Sequence, residues 1–384
     1  MKNENLIIGN KRIFFPNLDG IRTIAFLMVF VGHCYSRFPL HNKYTDPFLN
    51  SLVDRFTILS NMGVNLFFVL SGFLISYLLF DENDLFGKIN IKKFYVRRIL
   101  RIWPVYYLVV FLGLFIIFFV FHLLKFEDYS LKSFINYLLF MVNFEHINKE
   151  LTHPLISVLW SVSVEEQFYL FWPLLLTIVP KKKYVLLFIS LIIIASIYRY
   201  SQAPESYRLI NYHTLAVMIY LTMGALGAYI CKYHIIKLEA LFSAPKIIWI
   251  GLYASLILYF YFDRNIIVSK FQTLFEGFFY SIVFLLIILE QNYAKNSFYK
   301  MSNIKFLDKY GKYTYGLYSY HFFAIFFVYT INTRYLNLDD TNIPLLFAQY
   351  IVSLLLSYLI AWLSFNYYEK FFLSKKKKYD LLQK

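Results

Sequence analysis

The chain has 384 residues, of which 59% are hydrophobic and 22% aromatic, and its mean hydropathy is +0.53. An average soluble domain is about 45–50% apolar, so this composition excludes an ordinary soluble protein and indicates a polytopic membrane protein. The formal net charge is +15, but Lys and Arg cluster at alternate ends of the apolar segments. The positive-inside rule explains that distribution, so the charge does not indicate nucleic-acid binding.

Ten segments are apolar over about the 20 residues that a helix needs to cross a bilayer. The basic clusters between them fall on one side of a ten-span arrangement and place both termini in the cytoplasm. No long polar block separates the segments, so we expect one all-α transmembrane domain over residues 1–384, with no appended soluble domain. The predicted spans are 18–37, 57–80, 99–122, 158–179, 184–203, 209–230, 245–262, 271–291, 313–333 and 344–371. The basic clusters are 11–12, 88–101, 181–183, 232–246, 295–312 and 375–378.

The first predicted span carries Asp19, Arg22 and His33. At about 100° per residue, the eleven steps between Arg22 and His33 bring both side chains to one helix face, about 16 Å apart along the axis. Ionisable groups within a span usually face a bundle interior or a watery cavity, so this helix is predicted to line a polar path across the bilayer. A snorkelling arginine and a histidine satisfied within the core are the structural alternatives.

The second span contains Ser71 and Gly72 among bulky apolar residues. Small residues let membrane helices approach closely, so packing is the structural interpretation of this pair. At the start of the third span, Arg98 and Arg101 lie three residues apart, on one helix face near the cytoplasmic surface. They either hold the membrane orientation and bind lipid headgroups, or bind the phosphates of a cytoplasmic ligand, for which guanidinium groups are well suited.

Residues 134–144 form an apolar run that is too short to cross as a helix. We expect a re-entrant or interfacial helix on the outer side, because a full span here would move the 181–183 cluster to the wrong face.

The fourth span opens with Glu165 and Glu166. Adjacent residues point about 100° apart on a helix, so one carboxylate can face the bundle, where it would orient the His33 imidazole and raise its basicity. The alternative is an exposed acidic helix start. Further along, five tyrosines precede His321, which is a second candidate ligand or base.

Four ordered motifs give the sequence a family resemblance from Pro16 to about Pro173. They are NLDGIR with His33 eleven residues after Arg22, GVNLFFVLSGFLI, FYVRRILRIWP and LWSVSVEEQFYLFWP, and the likeness resumes at GKYTYGLYSYHFF and SFNYYEKFF. Together they resemble the integral-membrane acyltransferase 3 family, whose bacterial members O-acylate surface polysaccharides, peptidoglycan or lipid-linked sugars.

The resemblance implies roles for the residues that match the family motifs. Arg22 and His33 take the essential Arg-x10-His positions, Arg98 and Arg101 the RxxR positions, and Glu165 and Glu166 the acids of SVEEQ. Ser71 and Gly72 would lie near the donor. Two places depart from the family pattern and receive no role: Asn65 stands where many relatives have an acid, and Lys370 follows Glu369 where an ExP pattern is usual.

The implied function is a multi-pass enzyme of the bacterial inner membrane that needs no metal. It would move an acyl group, by default acetyl, from cytoplasmic acyl-CoA to a hydroxyl of an extracytoplasmic glycan or lipid-linked sugar. His33 would act as general base or be acylated itself, and Arg22 would hold the donor or stabilise developing negative charge.

Two other classes of function fit parts of the sequence. A small-molecule or lipid-linked sugar permease would use the intramembrane His and Arg to bind substrate, but no internal repeat supports it. A structural membrane subunit has no reason to retain several ionisable residues at membrane depth.

Overall fold

The computed structural model describes residues 15–37, 55–123, 125, 128–262, 269–336 and 343–379. Over these ranges the regular structure is helical and contains no strand. Both termini and the predicted cluster at 11–12 lie outside the described residues. The α-helices are α1 Leu18–Arg37, α2 Phe56–Phe86, α3 Ile91–Phe115, α4 Leu131–Leu138, α5 Val142–Asn148, α6 Pro154–Ser157, α7 Trp160–Ile178, α8 Tyr184–Gln202, α9 Tyr207–Tyr212, α10 Thr214–Tyr233, α11 Glu239–Phe242, α12 Lys246–Phe262, α13 Lys270–Tyr293, α14 Lys305–Gly311, α15 Thr314–Ile331, α16 Ile343–Leu363 and α17 Lys370–Lys376. A π-helical turn extends α3 over Ile116–Val120, and another, Ser364–Glu369, joins α16 to α17.

The described helices include one at each of the ten positions predicted to span the membrane. Seven helical segments of the described chain are long and apolar enough to cross, and an eighth is counted if the pair Ile235–Phe242 and Lys246–Tyr261, bent by 89°, forms one broken span. Helix α7, which carries Glu165 and Glu166, is not among the seven. The protein is therefore an all-helical, multi-pass membrane protein.

The segment between α3 and α7 differs in detail from the single helix predicted at 134–144. It forms α4 and α5, of 8 and 7 residues, and neither can cross a bilayer. The helical structure is interrupted at Phe140, whose φ of 57° lies in the left-handed region. The carbonyl oxygen of Phe140 accepts a hydrogen bond of 2.7 Å from Gln167, so α7 holds the break in place.

Glycines bring α1, α2 and α10 into direct backbone contact. A Cβ at Gly32 would lie 2.8 Å from the backbone nitrogen of Ser60, and one at Gly63 would lie 2.5 Å from the carbonyl oxygen of Ala25. Gly72 of α2 packs in the same way against the backbone of α10. Small residues permit this close approach, because membrane helices associate mainly through packing and hydrogen bonds.

The start of α1 is fixed by hydrogen bonds to distant parts of the chain. The Asn17 amide donates to the carbonyl oxygen of Gln291 at 2.7 Å and accepts from the backbone nitrogen of Ser302 at 2.8 Å. One turn later, the Thr23 hydroxyl donates to the carbonyl oxygen of Leu307 at 2.9 Å. These contacts set the position of the helix that carries Asp19, Arg22 and His33.

Candidate active site

His33, near one end of α1, contacts a histidine from α15. Nδ1 of His33 lies 2.8 Å from Nε2 of His321, and the two rings are parallel with centroids 5.1 Å apart. Phe322 covers the His33 ring at a centroid distance of 4.5 Å. His321 is fully buried, whereas His33 remains partly exposed. The structure thus brings together two sequence candidates that are 288 residues apart.

The hydrogen bonds of this pair define its tautomers. Nδ1 of His321 lies 2.7 Å from the carbonyl oxygen of Tyr318, and a carbonyl can only accept, so Nδ1 carries the proton. Nε2 of a neutral His321 is then an acceptor, and it receives the Nδ1–H of His33. The remaining nitrogen, Nε2 of His33, has no partner among the described residues, so its lone pair is free within that part of the chain. A chain of two histidines and a carbonyl therefore presents one basic nitrogen at a partly exposed ring.

The other end of α1 carries the ion pair between Arg22 and Asp19, with Nη1 and Oδ1 2.5 Å apart and both side chains about one-quarter exposed. Arg101 of α3 lies close enough to interact electrostatically with both residues and with Glu369. Its own side chain is exposed. An exposed guanidinium surrounded by charges from other helices faces a space that those helices share, and a ligand can enter such a space.

Arg98 has a different environment from Arg101, although the two are one turn apart. Its guanidinium lies over the rings of Phe94 and Tyr169, at 5.6 and 5.5 Å from their centroids. Its Nε is buried and has no hydrogen-bond partner among the described residues. The aromatic faces therefore stabilise the positive charge of Arg98, and its Nε–H remains an unused donor.

The two glutamates of α7 are hydrogen-bonded away from His33. Glu165 accepts from the Tyr169 hydroxyl at 2.9 Å, and Glu166 accepts from the indole nitrogen of Trp103 at 2.9 Å. The second oxygen of Glu166 is buried without a partner in the described chain. The expectation that one of these acids orients the His33 ring is not supported by these contacts, because His321 occupies that position.

Ser71 and Gly72 of α2 make contacts of different kinds. The Ser71 hydroxyl pairs with the Tyr169 hydroxyl, which continues the chain of hydrogen bonds to Glu165. Gly72 is buried against the backbone of Leu221, where even a methyl group would overlap the carbonyl oxygen. Ser71 thus belongs to the polar network between the arginines and α7, and the position of Gly72 is explained by packing.

Three residues in this region had no role in the sequence-based prediction. Tyr169 follows Glu165 by four residues, a spacing that indicates contact on a helix. Glu369 is buried, accepts from the Ser364 hydroxyl at 2.9 Å and lies near Arg101; its acidic character in an apolar segment was the available signal. Tyr318 acts through its backbone carbonyl, for which the side-chain sequence gives no signal.

Comparison with known proteins identifies the relatives of the chain. The family described as "Acyltransferase domain" matches residues 15–362. The chain belongs to this family. The resemblance inferred from the motifs is thereby confirmed, and the residues of both ends of α1 fall within the acyltransferase match.

The chain is similar to proteins of Staphylococcus aureus. A protein of strain COL, provisionally named an O-acetyltransferase, is 29% identical over 384 residues, which cover 94% of this chain and 57% of the relative. O-acetyltransferase OatA of strain NCTC 8325 is 28% identical over 372 residues, which cover 93% of this chain and 57% of OatA. The chain thus spans little more than half the length of these relatives. No solved structure matches it.

Proposed function

We propose that the protein is an O-acyltransferase of the bacterial inner membrane. It moves an acyl group, by default acetyl, from cytoplasmic acyl-CoA to a hydroxyl of an extracytoplasmic glycan or lipid-linked sugar. The observation that supports this most directly is the chain from His33 through His321 to the Tyr318 carbonyl, which leaves one basic nitrogen free. Family membership and the names of the relatives supply the reaction class.

The donor binds at the Arg22 end of α1 in this proposal. Arg101 is exposed there and can donate to phosphate oxygens of acyl-CoA, and Arg98, which is partly exposed one turn away, adds a second guanidinium for them. The eleven residues from Arg22 to His33 span about 16 Å of helix, which is comparable with the length of an extended pantetheine arm. The thioester then lies beside His33 while the phosphates stay on the cytoplasmic side.

The chemical step follows from the tautomer of His33. Nε2 takes the proton of the acceptor hydroxyl, and the hydroxyl oxygen attacks the thioester carbonyl carbon. A C–O bond forms, the C–S bond breaks, and the CoA thiolate leaves and takes the proton back from Nε2. His321 stabilises the transient imidazolium by accepting from Nδ1, and the Tyr318 carbonyl keeps His321 in the accepting tautomer.

A covalent variant uses the same nitrogen. Nε2 attacks the thioester carbon, the C–S bond breaks and the CoA thiolate leaves. In a second step the acceptor hydroxyl oxygen attacks the acyl carbon, the C–N bond breaks, and the freed Nε2 takes the hydroxyl proton. The two routes differ in whether donor is consumed before acceptor arrives. A burst of CoA release, equal in amount to the enzyme and independent of acceptor, supports the covalent route, and its absence supports direct transfer.

The proposal also includes ten spans, with α7 and α15 crossing the membrane and both termini in the cytoplasm. Positive charge at the predicted inner ends supports this topology. A reporter fused after Lys384 is expected to register the cytoplasm. An extracytoplasmic signal there contradicts the ten-span topology.

The decisive experiment uses the full chain reconstituted in lipid vesicles. Acyl-CoA with a radiolabelled acyl group is supplied on one side, and a glycan fraction from bacterial envelopes on the other. Label that moves to the glycan, with release of free CoA, supports the proposal. Passage of an unmodified sugar across the vesicle without CoA release indicates the permease instead.

A further inference from the structure

Three aromatic rings from three helices meet beside the histidine pair. Trp160 of α7 and Tyr212 of α9 lie edge to face with centroids 4.8 Å apart, and the His146 ring of α5 is 4.7 Å from Tyr212 and 6.4 Å from Trp160. We refer to Trp160, Tyr212 and His146 as the aromatic corner. Its three members are all partly exposed.

The aromatic corner lies close to the proposed reaction centre. His146 is near enough to His33 for an electrostatic interaction between the two rings. Tyr212 interacts in the same way with Tyr318, whose ring lies 5.9 Å from that of His321 and whose carbonyl fixes the His321 tautomer. The Tyr318 hydroxyl also bonds to the hydroxyl of Ser161, the residue after Trp160, at 2.5 Å, so the aromatic corner adjoins the residue that holds His321.

Exposure separates the aromatic corner from ordinary packing. Trp172, on the same helix as Trp160, is 1% exposed, and its indole N–H donates to the Ser76 hydroxyl at 2.8 Å. The indole N–H of Trp160 has no acceptor among the described residues. Because Trp160 is partly exposed, this unused donor is available to a ligand.

His146 adds an acceptor to this donor. Its Nε2 lies 3.0 Å from the carbonyl oxygen of Ser157 and must donate, which leaves Nδ1 as an acceptor. Burial, assisted by the nearby Arg208 guanidinium, lowers the pKa of His146 to about 4, so the ring is neutral near pH 7. Arg208 also donates to the backbone carbonyl of His146, which fixes the position of α5.

We propose that the aromatic corner is the acceptor subsite and that it selects a pyranose ring. A pyranose has an apolar C–H face and a polar rim. The partly exposed ring of Trp160, held in place by edge-to-face packing with Tyr212, offers an apolar surface for the face, while the Trp160 N–H and His146 Nδ1 offer one donor and one acceptor for hydroxyls on the rim. This inference rests on the proposed function, because it names the class of acceptor for the same reaction.

The test compares two soluble acceptors, methyl β-D-glucopyranoside and sorbitol. Both carry sugar-like hydroxyls, but only the first has a ring face. The reconstituted full chain is assayed for transfer and for CoA release. Trp160→Leu is expected to raise the KM for the pyranoside about tenfold, as loss of one stacking contact predicts, with the KM for acyl-CoA unchanged. Trp160→Phe, which keeps a ring face, is expected to stay within about threefold of wild type.

Trp362→Leu is the matched control, because this tryptophan lies on α16 against Tyr367, in a different helix contact. It is expected to leave both acceptor KM values unchanged. Tyr212→Leu provides a second variant if Trp160→Leu does not yield folded protein, and it is expected to raise the pyranoside KM in the same way.

Each outcome decides between the proposals. Three results would overturn the subsite and leave the acyltransferase proposal intact. They are an unchanged KM for the pyranoside in Trp160→Leu, an equal rise of the KM for sorbitol in that variant, and transfer by the wild type to sorbitol but not to the pyranoside. Absence of CoA release by the wild type, with or without acceptor, overturns the proposed function itself. A rise for the pyranoside alone, with recovery in Trp160→Phe, supports the subsite.

Discussion

The two ends of α1 have different electrostatic environments. At the His33 end, two imidazoles and one carbonyl form a chain in which each group but one nitrogen has a partner. At the Arg22 end, an exposed Arg101 lies near the ion pair of Arg22 and Asp19, and Arg98 lies over aromatic rings with an unused donor. In the proposed function, the first arrangement holds one atom in place for the reaction, and the second binds and releases the charged donor.

The largest expected effect comes from removing the free nitrogen. His33→Ala is expected to reduce acyl transfer by at least roughly 1,000-fold, since general-base groups contribute about 10²–10⁴-fold and here the same atom returns the proton. The partly exposed ring is not a core residue, so folding is expected to persist. Transfer of labelled acyl groups by purified, monodisperse protein measures the effect. Transfer near the wild-type rate contradicts the mechanism.

His321 tests whether the tautomer matters. His321→Ala is expected to lower kcat roughly 100-fold with little change in the KM for acyl-CoA, because the base keeps its nitrogen but loses the partner that selects its tautomer. His321→Gln offers both an acceptor for His33 and a donor for the Tyr318 carbonyl, so it is expected to retain more activity than His321→Ala. Equal loss in both variants, or a KM effect alone, contradicts the relay.

The arginines test the opposite end. Arg101→Ala is expected to raise the KM for acyl-CoA about tenfold with a smaller change in kcat, since one charge-assisted hydrogen bond to phosphate is worth about 1.5–3 kcal/mol. Lys92→Ala removes an exposed positive charge from the same helix and is the matched control. A similar KM rise in both variants would mean that general surface charge, rather than Arg101, attracts the donor.

The smallest catalytic effect is expected at Gly72. Gly72→Ala forces a methyl group onto the backbone of Leu221 and is expected to destabilise the folded protein by about 1–3 kcal/mol, as overpacking does. The KM for acyl-CoA of the folded fraction should not change. Thermal unfolding and donor kinetics on one preparation separate the two effects, and a KM shift at unchanged stability would restore a donor-binding role for Gly72.

The positions of the helices and the polar residues at the two ends of α1 could be predicted from the sequence, because apolar length and the Arg22–His33 spacing are local properties. The contact between Glu165 and Tyr169 is also a local property, because the two residues are about one helical turn apart. The partner of His33 could not be obtained in this way. His321 lies 288 residues after His33, and the contact between them depends on how α15 packs against α1. Glu165 and Glu166 lie nearer in the sequence and were chemically suitable partners for the imidazole, so the prediction favoured them.

The glycine contacts between α1 and α2 carry a mechanical consequence. Close contact with the neighbouring backbone at Gly32 and Gly63, and again where Gly72 of α2 meets α10, interlocks these helices at three points. Carriers that alternate access rock one bundle against another, and a frame clamped in this way resists such rocking. In the proposed reaction, donor and acceptor would therefore reach a stationary frame from opposite sides, and only the acyl group would change compartments.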